Sequence, residues 1–119
     1  MLRMIVILFG IGLIFAGVAG FLPNTFMSND LLFGFFEVNS MHNMFHIISG
    51  VLAIMAATNL KYTIWFFKIF GLIYTILAVW GFWTGGDLYM MHVNIADNIL
   101  HIVLGVIALY LGFSAKKSF

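Results

Sequence analysis

Four long apolar tracts, nearly free of charged residues, dominate this sequence. They lie at about residues 4–22, 38–60, 62–84 and 98–115. A helix needs roughly 20 mostly apolar residues to cross a bilayer, whereas a barrel strand needs about ten and alternates in polarity. These tracts have the helical length and do not alternate. The sequence therefore predicts an all-α membrane protein with four transmembrane helices.

The charged residues are too few to cover a surface that faces water. Only 8% of the 119 residues are charged and 64% are hydrophobic, whereas a soluble domain has about 25% charged and 45–50% apolar residues. We expect a single integral membrane domain over residues 1–119. The net charge of +1 gives no sign of a nucleic-acid partner. The absence of cysteine excludes disulfides and thiolate chemistry.

The charges divide between the two ends of the predicted helices. The basic residues at one end are Arg3, Lys61, Lys116 and Lys117, with Lys68 two turns into the third span and able to snorkel back. The acidic residues at the other end are Asp30, Glu37, Asp87 and Asp97. The positive-inside rule then places both termini in the cytoplasm.

The chain contains an internal repeat. Residues 38–53, VNSMHNMFHIISGVLA, match residues 93–108, VNIADNILHIVLGVIA, at eight of sixteen positions. A weaker match joins residues 9–21 to residues 70–82. Each half is thus a helical hairpin, with repeat one at about 4–59 and repeat two at about 62–115. Because both hairpins start on the same side, they should be parallel repeats about an axis along the membrane normal, forming a four-helix bundle.

A polar seam enters spans two and four from the acidic end. On span two, residues at steps of three and four are Asn43, His46, Gly50, Ala53 and Ala57. Their counterparts on span four are Asn98, His101, Gly105, Ala108 and Gly112. One turn before His46 lies His42, and Asp97 occupies the corresponding place on span four. A polar group inside the membrane costs free energy if it has no hydrogen-bond partner, so these side chains should face the bundle interior.

Three interpretations of this cluster stay open. In the first, the small residues allow close helix packing, Asn43 meets Asn98, His46 meets His101, and His42 pairs with Asp97. In the second, His46 and His101 are axial ligands of a haem b. In the third, a zinc ion has its ligands among His42, His46, Asp97 and His101.

The packing interpretation is favoured, with no cofactor. It predicts a non-enzymatic scaffold or accessory subunit that contacts the lipid bilayer and either a membrane-protein partner or further copies of itself. The haem or metal protein is the alternative, and a small-ligand binder or transporter ranks below it. Catalysis has little support, because the sequence shows no nucleophile series, phosphate loop or paired intramembrane carboxylates.

The first outer connection, residues 23–40, is the longest. Its apolar segment LLFGFFEV follows Ser28-Asn29-Asp30. We expect a short helix lying in the outer interface, capped by Ser28 or Asp30. A lid over the mouth of the bundle is the less favoured alternative.

The order of these motifs resembles a family of small membrane proteins, the domain of unknown function 4383. The similarity covers nearly the whole chain: a G-F-L-P-N corner, then F-E-V-N-x-x-H-N-x-x-H-x-x-x-G, and a D-N-x-x-H-x-x-x-G start to span four. The resemblance implies a bacterial inner-membrane protein with four helices, and it implies no activity. The matching positions are Phe21, Pro23, Phe36, His42, Asn43, His46, Gly50, Asp97, Asn98, His101 and Gly105.

Overall fold

The chain folds mainly into helices. The computed structural model describes residues 1–115, so Lys116 and Lys117 of the predicted basic end lie outside the described residues. The all-helical prediction is confirmed at this level, with one small hairpin of strands added. The elements in chain order are α1 (Leu2–Gly20), α2 (Pro23–Phe26), β1 (Met27–Ser28), β2 (Leu31–Leu32), α3 (Ser40–Ala56), α4 (Leu60–Thr84) and α5 (Ile95–Ser114).

Within residues 1–115, three helices are long and apolar enough to cross a membrane, namely α1, α4 and α5. The fourth predicted span corresponds to α3, which is apolar but has 17 residues, a length of about 25 Å at 1.5 Å per residue. Many large apolar side chains on the outward faces are exposed, for example Leu8, Ile76 and Val103. Such a surface suits hydrocarbon better than water.

The helices pack as two antiparallel pairs. In the first pair Gly20, at the end of α1, lies against Asn43 at the start of α3, and Gly10 lies against Gly50. In the second pair Gly81 of α4 lies against Asn98 of α5. Gly71 of α4 likewise lies against the backbone of Gly105. The small residues therefore join helices within a hairpin, whereas the sequence suggested a seam between spans two and four.

The two pairs meet around an aromatic core at the end that carries Arg3. Phe9 of α1 contacts the rings of Phe67 and Phe70 edge-on, with centroids 5.2 and 5.8 Å apart. Arg3 donates hydrogen bonds from Nε to the Ala57 carbonyl at 2.7 Å and from its guanidinium to the Thr58 carbonyl at 3.3 Å. A cation at the C-terminal end of α3 is favourable, because the last carbonyls there carry partial negative charge.

The first outer connection differs from the predicted interfacial helix. Met27 pairs with Leu32 and Ser28 with Leu31 in an antiparallel hairpin. Asn29 and Asp30 form its turn with φ of 54° and 64°. Asn and Asp tolerate this left-handed conformation, which two-residue hairpin turns require. Asn29 and Asp30 thus connect two strands, whereas the sequence predicted that Ser28 or Asp30 caps a helix.

Hydrogen bonds join the outer connections of the two hairpins. Asn39 donates through Nδ2 to the His92 carbonyl at 3.3 Å, and Asn94 donates through Nδ2 to the Phe35 carbonyl at 2.9 Å. His92 Nδ1 also lies 2.7 Å from Glu37 Oε2. These contacts hold the starts of α3 and α5 side by side, and the polar side chains of the two helices follow directly below.

Candidate functional site

Three buried histidines from two helices converge near the connections that precede α3 and α5. His42 and His46 lie one turn apart on α3, and His101 lies on α5. The His42 ring centroid is 4.4 Å from that of His46 and 5.2 Å from that of His101, and the His46 and His101 centroids are 5.7 Å apart. Each side chain is at most 5% exposed. One ring nitrogen from each histidine lies within 4.8 Å of the other two.

The helix caps place these side chains. The Asn39 side chain accepts a hydrogen bond from the His42 amide at 2.9 Å and so fixes the start of α3. Asn94 and Asp97 form a reciprocal capping box that fixes the start of α5. His46 and His101 each lie seven residues after their cap. The two helices therefore deliver them at the same depth.

Hydrogen bonding defines the tautomer of His42. Its Nδ1 lies 3.1 Å from the Glu37 carbonyl oxygen, which can only accept, so Nδ1 carries the proton. The Nε2 lone pair of His42 then points at His101 Nε2, 3.3 Å away. With neutral rings, His101 Nε2 donates this hydrogen bond.

Two ring nitrogens of the cluster are left without partners. Among the described residues, His46 Nδ1 and His101 Nδ1 are buried and make no hydrogen bond. A buried polar atom in this state costs on the order of 1–3 kcal/mol. Such atoms are unusual in a folded protein, where a buried polar atom normally has a protein, water or ligand partner.

The other predicted polar residues lie beside the cluster. Asp97 does not pair with His42 as one interpretation proposed, because its Oδ2 accepts from the Asn94 amide at 3.0 Å. Asn43 and Asn98 do not bond to each other either, since the Oδ1 atom of each is buried without a partner. A Cβ at Gly20 would overlap the Asn43 amide oxygen, and one at Gly81 would overlap that of Asn98. Each amide therefore fills the space above a glycine of its own hairpin.

The remaining predicted seam residues keep to their hairpins. Ala53 packs near Gly10 of α1, and Gly112 packs against Lys68 of α4. Ala53 and Ala108 are fully buried. Ala57 is buried at the C-terminal end of α3, where its carbonyl accepts the Arg3 hydrogen bond. The inner half of the seam is thus packing, without polar groups aimed at a ligand.

Sequence reasoning missed Tyr74 and Ser49, which extend the site between α3 and α4. The Tyr74 ring stacks on His46 at 6.4 Å and meets His101 edge-on at 5.3 Å. Its hydroxyl donates to Ser49 Oγ at 3.2 Å. The i, i+4 spacing of Phe66, Phe70 and Tyr74 could have indicated one aromatic face, but an apolar span made that face resemble ordinary packing.

A cavity of about 450 Å³ opens beside the histidines. It lies between α3 and α4 and reaches from the cluster to Tyr62 and Trp65 near the other end of α4. Its walls are almost wholly apolar, and all three clustered histidines line it. A volume of this size lies within the range of ligand pockets, roughly 300–1,000 Å³.

Comparison with known proteins identifies the family. The family described as Domain of unknown function (DUF4383) matches residues 3–114. The chain belongs to this family. No curated protein and no solved structure matches the chain. The DUF4383 match covers α3, α4, α5 and all but the first residue of α1, and it includes the three clustered histidines. The site therefore lies within the family's own domain.

The geometry of this DUF4383 site fits a metal ion better than a haem. Three imidazole rings in mutual contact leave no flat gap in which a porphyrin could lie between His46 and His101. In a tetrahedral zinc site with Zn–N bonds of about 2.0–2.1 Å, neighbouring nitrogens are about 3.3 Å apart. The Nε2 atoms of His42 and His101 have this separation. The Glu37 carbonyl supplies the outer hydrogen bond that orients a ligating histidine.

Proposed function

We propose that this protein is an integral membrane protein that binds a transition-metal ion, with zinc the best-suited probe, through His42, His46 and His101. The observation that carries the proposal is the convergence of three buried ring nitrogens within 4.8 Å. Three histidine ligands leave one coordination position open, as in metal sites that bind a water or a substrate. The open position would face the cavity that the histidines line.

The proposal includes the arrangement of the chain in the membrane. All four long helices cross the bilayer, and the Arg3 end faces the cytoplasm of a bacterial cell. The two hairpins are copies of one unit. The equivalent contacts of Gly20 with Asn43 and of Gly81 with Asn98 support the duplication. Duplication would give His46 and His101 equal depth on opposite hairpins, whereas His42 has no histidine counterpart and completes the site from one side.

Metal content tests the function. The protein, purified without an added polyhistidine tag, is loaded with Zn²⁺, freed of excess ion and analysed by elemental mass spectrometry. We expect about one Zn²⁺ per chain and a strong loss of bound zinc in His46→Ala and His101→Ala. His92→Ala is the matched control, because His92 is exposed and pairs with Glu37 outside the cluster. Loading with Co²⁺ should give the visible absorption of a four-coordinate site.

A packing role for the same histidines, within a non-enzymatic scaffold or accessory subunit, is the competing function. The hydrogen bond between His42 and His101 favours it, because that bond needs no metal. Under this alternative both the wild-type protein and the His92→Ala control hold far less than one zinc ion per chain once excess ion is removed, and His101→Ala lowers thermal stability without changing metal content. Zinc retained equally by wild type and by the cluster variants would also contradict the metal site.

A further inference from the structure

The cavity between α3 and α4 exists because these two helices pack poorly against each other. Glycines bring α3 onto α1 and α4 onto α5 at backbone contact. Between α3 and α4, large side chains such as Phe45 and Phe66 line the cavity instead of glycines. The cavity opens to the side of the helices, because Ile48, Leu52 and Ile73 line the cavity and are also about half exposed. In a bilayer this opening would face the hydrocarbon.

The cavity has a polar end and an apolar end. At the polar end His46, Ser49 and Tyr74 present neutral hydrogen-bonding groups. The rest is lined by aliphatic and aromatic side chains towards Tyr62 and Trp65. Among the described residues, the lining contains no Asp, Glu, Lys or Arg. A charged lipid headgroup would therefore lose its hydration without gaining a counter-charge.

One wall of the cavity is a ladder of nearly parallel rings. Phe66 stacks on Phe70 with centroids 5.2 Å apart and planes inclined by 26°. Phe70 stacks on Tyr74 at 4.1 Å and 22°, and Tyr74 stacks on His46 at 6.4 Å and 24°. Rings stacked in this way turn their faces to one another and their edges to the cavity, so a flat conjugated ring can contact this wall edge to face. The ladder ends at the hydrogen-bonding groups.

We propose that this cavity binds an isoprenoid quinone, with its ring at the polar end and its tail along the groove between α3 and α4. The quinone ring would pack against the edges of the ladder, and one carbonyl oxygen would accept a hydrogen bond from the Ser49 hydroxyl. The tail would run towards Trp65, a distance of about 14 Å along α4 from Tyr74 at 1.5 Å per residue. The inference concerns binding alone and does not depend on the metal ion, because aromatic contact and the Ser49 hydrogen bond need only the protein.

Binding is tested in nanodiscs of uncharged phospholipid with a benzoquinone that carries a ten-carbon alkyl chain. Calorimetric titration, with empty nanodiscs as the reference, should show one saturable site per chain. Ile73→Trp places an indole in the mouth and should weaken binding at least about tenfold. Ile76→Trp is the matched control, because Ile76 lies on the same helix, is similarly exposed (54% against 49% for Ile73) and does not line the cavity. It should keep wild-type affinity.

The chemistry of the ring is tested with decylbenzene, which has the same chain and no carbonyls. It should not compete with the quinone at equal concentration, and Ser49→Ala should weaken quinone binding roughly three- to tenfold through loss of a donor. If uptake of the quinone rises linearly with its concentration, without saturation and as in empty nanodiscs, the inference is overturned. Equal competition by decylbenzene would overturn it too, since the groove would then accept any hydrocarbon. Zinc content in Ile73→Trp should stay at the wild-type level, so a failed quinone site and a failed metal site give different results.

Discussion

Single residues decide how closely the helices of each pair approach. A Cβ at Gly10 would lie 2.8 Å from the Gly50 carbonyl oxygen, and a Cβ at Gly71 would lie 2.8 Å from that of Gly105. Both partners are backbone atoms, which cannot rotate away as a side chain can. Close contact of this kind is the main source of attraction between helices in lipid, because the hydrophobic effect does not drive them together there.

Gly10→Ala should therefore separate α1 from α3. We expect a loss of about 1–3 kcal/mol in the free energy of unfolding, since the added methyl group overpacks a backbone contact. Denaturation in mixed micelles, followed by helical circular dichroism, measures the change. Gly12→Ala is the control on the same helix, because a Cβ there meets nothing within 4 Å. It should be neutral or slightly stabilising through better helix propensity. If Gly12→Ala lowers the free energy of unfolding as much as Gly10→Ala does, close backbone contact between α1 and α3 does not explain the loss.

At the residue level the sequence could predict which polar side chains lie in the helices, but not all of their partners. The spacing of His46 and His101 in the repeat correctly placed both on inward faces. The pairing of His42 with Asp97 was wrong, because the capping box of α5 takes the carboxylate. All three histidines of the cluster were among the candidate zinc ligands, together with Asp97. Their separation could not be predicted, since helix spacing between hairpins is not encoded in a local pattern.

The helices and their connections show where local chemistry decides structure. Each predicted span coincides with a helix, because apolar length is a strong signal. Within residues 1–115, three of these helices have the length to cross a membrane, whereas α3 has 17 residues. The prediction failed at residues 27–32, where Asn29 and Asp30 adopt positive φ and turn a strand back on itself. An isolated Asn-Asp pair signals a helix start and a hairpin turn equally well. The pairing of Met27 with Leu32 in the structure shows that this Asn-Asp pair forms a hairpin turn.

The cap of α5 also ties the two hairpins together, which the cap of α4 does not. Asn94 accepts from the Asp97 amide at 2.9 Å and donates to the Phe35 carbonyl. Asn59 accepts from the Tyr62 amide at 2.9 Å. Serine caps well but is too short to reach across, so Asn94→Ser should keep the helix start and lose the bridging bond, at a cost of about 0.5–1.5 kcal/mol.

Asn59→Ser is the matched control and should change the free energy of unfolding by only a few tenths of a kcal/mol. The same mixed-micelle denaturation measures both variants. A loss in Asn59→Ser as large as that in Asn94→Ser would show that capping, and not the bond between hairpins, accounts for the effect. Because the bridging bonds lie directly above the histidines, Asn94→Ser should also weaken zinc retention.

Across the whole molecule, charge separates by end. Arg3 lies at the turn between α3 and α4, close to Thr58. Glu37 and Asp87 lie in the opposite connections. The histidine cluster is at the acidic end, so a metal ion there would be reached from outside the cell under the proposed orientation. The sequence predicts this polarity from charge alone, whereas the cavity between α3 and α4 depends on how whole hairpins meet and has no sequence signature.

The absence of cysteine from the chain makes the orientation directly measurable. Ser28→Cys places a single exposed thiol at the acidic end, and Thr58→Cys places one at the basic end. Neither change alters a charge, so the signal that sets orientation is preserved. With a membrane-impermeant maleimide, Ser28→Cys should be labelled in intact bacterial cells. Thr58→Cys should be labelled only after the membrane is opened, because the proposed orientation places it on the cytoplasmic side. The reverse pattern would place the histidine site on the cytoplasmic side. Labelling of both thiols in intact cells would mean that α3, which lies between residues 28 and 58, does not cross the membrane.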